Sequence, residues 1–178
     1  MQAALIPSEF ETRTNATYEA LMWAMSRPGL PRELPAAGLG PLIETLIDRE
    51  CAVHCDDDAL RASAAQTGAS LVEIAQADHV FLSATPTMDL LRQLAQGSDL
   101  YPDNGATLIC PAAIGNGPHL RLSGPGVNGT QEVSLGGLPD GFWQCRREIM
   151  RYPQGFEIFF IDQQQVIGLP RSTQVEVL

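Results

Sequence analysis

Two arginine positions and one glycine turn carry the most suggestive chemistry in this sequence. Leu169-Pro170-Arg171-Ser172-Thr173 sets a guanidinium beside two hydroxyls. A guanidinium is a planar fork that can grip a carboxylate or a phosphate through two parallel hydrogen bonds. Leu122-Ser123-Gly124-Pro125-Gly126 has the composition of a type II turn running from Gly124 to Val127. Pro125 presets φ at the second position, and Gly126 accepts a positive φ at the third. At a strand end such a turn can present backbone N–H groups to an anion, with the Ser123 hydroxyl beside them, or it can be a plain tight turn. Arg27 closes an expected helix. All these positions lie at element ends, where loops gather. We read Arg27, Ser123, Gly124, Gly126, Arg171 and Thr173 as one surface cleft for an anion or an acidic partner segment. The competing reading is that Arg27 caps its helix and Arg171 pairs with a nearby carboxylate.

The other constellations say less. Cys51-Ala-Val-His54-Cys55 is where Cys and His cluster. Zinc sites take four ligands in spaced pairs, and a second pair is missing. Burial of small apolar thiols is the better reading. A Cys–His hydrolase needs a thiolate, an imidazole and an orienting group, and none of the four Cys and three His sits in a local signature. Asp56-Asp57-Asp58 reads as a helix start rather than a hard-metal site, because consecutive carboxylates do not converge on one ion. Arg147 and Arg151 stand four apart, on one face of an expected helix that is either solvated or turned toward an acidic partner.

The whole-chain arithmetic narrows the chemistry. The 178 residues, 44% hydrophobic and 18% charged, suit one domain spanning 1–178. All 11 basic residues are Arg, and there is no Lys. That removes a PLP Schiff base, a P-loop lysine, and lysine general-base or aldolase chemistry. We expect no PLP and no metal. A formal charge of -10 argues against nucleic-acid binding. The opening MQAALIPSEFETRT lacks a basic, then apolar, signal pattern, and no stretch approaches a membrane span. The simplest location is the cytoplasm, with the four cysteines as thiols.

Elements must position these groups. Tyr18, Leu21, Met22 and Met25 share a helical spacing that predicts a helix over 14–27 with those residues inward. A Pro/Gly-rich loop covers 30–40, and a short helix follows around 42–47. A strand over 51–55, a helix over 58–67, a strand over 80–82 and a helix over 88–96 continue the alternation. Strands are then expected at 106–110, 119–123, 133–135, 156–161 and 166–169, with a helix over 142–150 and an edge strand at 174–178. This predicts an α/β domain with a central mixed sheet.

Taken in order, these segments resemble the PhnH family, a subunit of the bacterial carbon–phosphorus lyase system. The resemblance rests on Ala24-Met25-Ser26-Arg27-Pro28-Gly29, Asn104-Gly105-Ala106-Thr107-Leu108, Leu122-Ser123-Gly124-Pro125-Gly126-Val127, Tyr152-Pro153-Gln154-Gly155, Leu169-Pro170-Arg171-Ser172-Thr173 and the terminal Val175-Glu176-Val177. It spans about residues 8 to 178. Glu157 and Ser172 replace an Asp and a Thr of the family pattern and keep the chemistry; residues 51–83 match poorly. The resemblance implies a fold similar to a shortened PLP-dependent transferase without the cofactor. It also implies a homodimer and a place beside the PhnG, PhnI and PhnJ subunits. That assembly is implicated in making ribose 1-phosphonate 5-triphosphate from ATP and an alkylphosphonate. We therefore expect an accessory subunit; the alternative is a stand-alone enzyme or binding module for an anionic metabolite.

Overall fold

The computed structural model describes residues 6–178, so the part of the signal-sequence reading that rests on the first five residues lies outside it. Helix α1 (Glu9–Ser26) begins five residues earlier than the spacing predicts. The cause is a capping box: Ser8 accepts from the Glu11 N–H, and the Glu11 carboxylate accepts from the Ser8 N–H. There follow β1 (Arg32–Glu33), α2 (Gly40–Leu46), β2 (Ala52–Cys55), α3 (Asp58–Gln66), β3 (Ser70–Leu71), β4 (His79–Phe81) and α4 (Met88–Gln93). The second half holds β5 (Thr107–Pro111), β6 (Ala113–Ser123), β7 (Gln131–Gly136), α5 (Phe142–Ile149), β8 (Glu157–Asp162), β9 (Gln165–Leu169) and β10 (Gln174–Val177). Asp57 caps α3, accepting from the N–H groups of Ala59 and Leu60, as the acidic triplet suggested.

A seven-stranded mixed sheet has the order β1-β9-β8-β5-β4-β2-β3. The five strands β3, β2, β4, β5 and β8, from one edge inward, run parallel, while β9 returns antiparallel to β8 as a hairpin. A separate antiparallel sheet has the order β10-β6-β7. The α/β domain with a mixed central sheet is therefore as the alternation predicted; the small second sheet was not foreseen.

Strand alternation sorts the apolar residues into two layers. Val53, Phe81, Ile109, Phe159 and Ile161 face α1, α2 and α3. Val80, Leu108, Cys110, Ile158, Phe160 and Ile167 face the other way. They meet Leu91 of α4, Phe142 and Ile149 of α5, and Leu120 and Leu122 of the small sheet.

One expectation holds only in part. Tyr18 and Met22 of α1 are about half exposed, at 52% and 51%, while Thr17, Ala20, Leu21 and Ala24 are buried. The helix sits so close to β9 that only small side chains fit between them. A Cβ at Gly168 would stand 2.6–2.7 Å from the backbone of Ala24 and Met25. The apolar spacing is right for Leu21, which is buried, and for Met25, which packs partly buried on the core, and wrong for Tyr18 and Met22, because along α1 close approach to β9 rather than side-chain bulk sets the contact.

Gly168→Ala should therefore destabilise the protein by about 2 kcal/mol or more, since overpacking against rigid backbone leaves nothing to yield. Gly40→Ala, with nothing within 4 Å of the added methyl, should leave the urea midpoint unchanged or raise it slightly. Equal effects at the two positions would contradict this account of the helix–sheet contact.

Candidate functional site

The chain leaves the large sheet at Leu169 and enters the small one at Gln174. Pro170–Thr173 is the crossover, closed by the Thr173 N–H donating to the Pro170 carbonyl at 3.0 Å. Beside it, α5 and the outer strand β10 bound a cleft of about 570 Å³. Arg121, Arg146, Arg147 and Arg171 line it, with hydroxyls from Ser123, Ser172 and Thr173 and an apolar wall that includes Trp143 and Met150.

Arg146 is the anchor of this site. It is 3% exposed and points from α5 into the crossover. Its Nη1 donates to the Thr173 carbonyl at 3.1 Å and its Nη2 to the Pro170 carbonyl at 2.9 Å. Its Nε and the buried Thr173 hydroxyl find no partner among the described residues. Burial pushes the Arg146 pKa down to about 10, opposed by Glu157. The guanidinium thus stays charged at neutral pH in a site that penalises charge.

The expected cleft forms in part. Ser123, Arg171 and Thr173 line it, and Gly124 lies at its edge, where an added Cβ would stand 3.0 Å from the Ser172 carbonyl. Gly126 has φ +82, and the Val127 N–H donates to the Gly124 carbonyl at 3.1 Å, so the predicted turn is real. Its closeness serves the protein's own backbone, however: a Cβ at Gly126 would meet the Ser26 carbonyl at 2.6 Å. Arg27 does not line the cleft. It is the C-cap residue of α1, and its guanidinium lies 5.0 Å over the Trp23 ring.

Arg171 also departs from the free-fork reading. Its Nε meets Glu157 Oε1 at 2.5 Å, its backbone N–H meets Glu157 Oε2 at 2.6 Å, and its Nη1 donates to the Pro102 carbonyl. The pair is mostly buried, with side chains 15% and 22% exposed. Arg171 therefore ties the crossover to the start of β8 and to the 102–104 turn. Arg147 and Arg151 do not share a helix face, because α5 ends at Ile149 and Arg151 lies in the turn beyond.

The residues that sequence reasoning passed over are Arg121, Arg146 and Trp143. A signal for Arg146 existed. Phe142, Cys145 and Ile149 mark the inward face of α5, and Arg146 falls on it four residues after Phe142. A cation on an apolar face has to find partners inside. The Cys–His reading finds no support in the thiols. Burial pushes Cys55 up to about 11 and raises Cys51 and Cys110, which keeps these thiols protonated and poor nucleophiles at neutral pH. The His54 Nδ1 is engaged with the Val72 carbonyl at 3.0 Å.

Residues 8–176 match the family described as "Bacterial phosphonate metabolism protein (PhnH)". The chain belongs to the PhnH family. The match takes in α1, both sheets except the last residue of β10, and every residue lining the cleft. Among curated relatives, this PhnH-family chain is 31% identical to the C-P lyase subunit protein HtxG of Stutzerimonas stutzeri, over 93% of this chain and 87% of that protein. It is 27% identical to the alpha-D-ribose 1-methylphosphonate 5-triphosphate synthase subunit PhnH of Rhizobium meliloti (strain 1021), over 90% of this chain and 89% of that protein.

Arg171→Ala should lower stability by about 3 kcal/mol, because it leaves the Glu157 carboxylate half-desolvated without its cation. Arg171→Ala combined with Glu157→Gln should recover part of that loss. Denaturant titrations of the four proteins check this; strictly additive effects would show that the pair does not couple the crossover to β8.

Proposed function

We propose that this chain serves as an accessory subunit of a carbon–phosphorus lyase assembly in phosphonate catabolism. In this reading it supports the formation of a ribose 1-phosphonate 5-triphosphate from ATP and an alkylphosphonate, and it works in the cytoplasm. Its partners would be PhnG-, PhnI- and PhnJ-type subunits, and it would itself pair as a homodimer. The family match supports the process, and the two relatives support membership of such an assembly by their names.

The observation that carries the accessory role is the make-up of the cleft. Its lining holds cations and hydroxyls, but neither a histidine nor a cysteine. Its one carboxylate, Glu176, is held by Arg121 at 3.1 Å. A hydroxyl nucleophile needs an adjacent base, and general acid–base work needs a group poised near neutral pH. A lining of this kind binds charge rather than moves protons, so the cleft is the natural meeting point with an anionic ligand or an acidic partner segment. The half-exposed Phe10, Tyr18 and Met22 on α1 add an apolar strip suited to burial against another chain. We carry over from the family resemblance alone the idea of a pared-down relative of the PLP-dependent transferase fold.

The test is affinity purification of the tagged chain from its native cells grown on a phosphonate as phosphorus source. PhnG-, PhnI- and PhnJ-type subunits should co-purify, and sedimentation of the isolated chain should give a dimer. The isolated chain should not consume ATP and alkylphosphonate. Turnover by the chain alone would favour the stand-alone enzyme instead.

A further inference from the structure

Strand β10 is the open edge of the small sheet. The sheet has the order β10-β6-β7, so β10 has a neighbour on one side. In an antiparallel pair, residues that exchange backbone hydrogen bonds alternate with residues whose N–H and C=O point away from the partner strand. The phase is fixed here by the Leu178 N–H, which donates to the His119 carbonyl at 2.9 Å. In the same register Glu176 stands opposite Arg121 and Gln174 opposite Ser123. Those two residues spend their backbone groups on β6, and those of Val175 and Val177 point outward. Just before the strand, the outward Thr173 carbonyl is taken by Arg146. The N–H and C=O groups of Val175 and Val177 find no partner among the described residues.

This edge is not blunted. Sheet edges are commonly shielded by lysine, proline, a bulge or a covering element. Strand β10 reads Gln-Val-Glu-Val and pairs with β6 without a register shift. Its one charge, Glu176, is held by Arg121 at 3.1 Å. Beside the edge runs a groove. The cavity of about 570 Å³ follows Thr173, Gln174, Val175 and Glu176 in succession. A second cavity, of about 400 Å³, takes in Val177. Trp143 and Arg147 of α5 line both, so the two adjoin along the helix. The groove is also cationic. Four arginines line it against the carboxylates of Glu176 and Asp140. Arg121, Arg146 and Arg171 are engaged within the protein. Arg147 is exposed, bonds the neutral Gln144 side chain, and has no carboxylate within 4.0 Å among the described residues.

We propose that an extended, acidic segment of a partner protein docks in this groove as a further strand on β10. Its main chain would bond the N–H and C=O groups of Val175 and Val177. Its side chains would alternate between the apolar wall of Trp143 and Met150 and the Arg147 guanidinium. Strand addition draws affinity from main-chain bonds and specificity from pockets for alternate side chains. The inference rests on the reading of the cleft as a meeting point with an acidic partner segment, and it adds the mode of binding and the edge that receives it. A second copy of this chain suits the edge less well. Pairing β10 with β10 across a two-fold axis brings the same arginines face to face, in chains of formal charge -10 each.

Fluorescence anisotropy of the full chain with synthetic peptides of about eight residues, alternating valine with glutamate or with lysine, tests this. The glutamate peptide should bind saturably, and the lysine peptide at least about tenfold more weakly. N-methylation of every second amide separates a bound strand from a loose electrostatic contact, because one alternate set faces β10 and the other faces away. One methylation pattern should weaken binding about tenfold or more, and the other should not. Val177→Pro deletes an outward N–H and leaves the β6 ladder whole, so it should weaken binding with the melting temperature little changed. Arg147→Gln should narrow the gap between the glutamate and lysine peptides. Hydrogen exchange at the Val175 and Val177 amides should slow when the glutamate peptide is bound. No saturable binding at millimolar concentration, equal affinity for the lysine peptide, or binding untouched by either methylation pattern would overturn the proposal. Protection of those two amides that grows with the concentration of the chain alone would also overturn it, by assigning the edge to a second copy. The purification above is independent: co-purification of the subunits without peptide binding would sink this inference and leave the assembly role standing, and peptide binding without co-purification would do the reverse.

Discussion

Arg146 holds both ends of the turn by which the chain passes from one sheet to the other. Its two hydrogen bonds fix the Pro170 and Thr173 carbonyls, and between them Arg171 reaches back to Glu157 and Pro102. These clamps add to the backbone closure of the turn and to the β10–β6 ladder in fixing the wall of the cleft beside α5. A buried guanidinium is an expensive clamp. Two carbonyl dipoles and a distant Glu157 offset its desolvation only in part, as its depressed pKa records. A hydrophobic residue of similar size would pack with less penalty but would leave the Thr173 carbonyl without its side-chain donor and the Pro170 carbonyl with the Thr173 N–H alone.

Close backbone contacts do the complementary work on the far layers. At Gly168 the α1 helix comes within reach of β9, and at Gly126 the 124–127 turn rests on the last carbonyl of the same helix. Both contacts exclude a Cβ. The end of α1, the end of β6 and the crossover are therefore tied through the glycine turn, which touches Ser26 on one side and Ser172 on the other. The motifs expected to share one anion-binding cleft are joined mainly to one another. Their composition reflects the geometry of a junction, and the charge that remains free belongs to α5.

Electrostatics gives that free charge its weight. The chain is strongly acidic, so a concave patch holding four guanidiniums stands out against its surroundings. Field lines concentrate in clefts with low-dielectric walls, which raises the local concentration of a counter-ion. Two of the four charges are cancelled by protein carboxylates, and that leaves a defined rather than a diffuse attraction.

Much of this was written locally in the sequence. Apolar runs such as 156–161 and 166–169, the Pro-Gly turn at 124–127 and the capping Asp57 depend on neighbours within a few residues, and they formed as read. The absence of lysine closed off whole chemistries before any fold was known. Long-range proximity decided the rest. The inward face of α1 follows Gly168, more than 140 residues away, because a bare glycine lets the helix approach where bulk would hold it off. Arg171 became a latch because the fold set Glu157 and Pro102 against it, and Arg27 was taken by Trp23. Arg146 acquired its place because the chain crosses between sheets at that point. A guanidinium reads the same in any sequence; whether it is spent on the protein or left for a ligand depends on which carbonyls and carboxylates tertiary packing brings within hydrogen-bond reach.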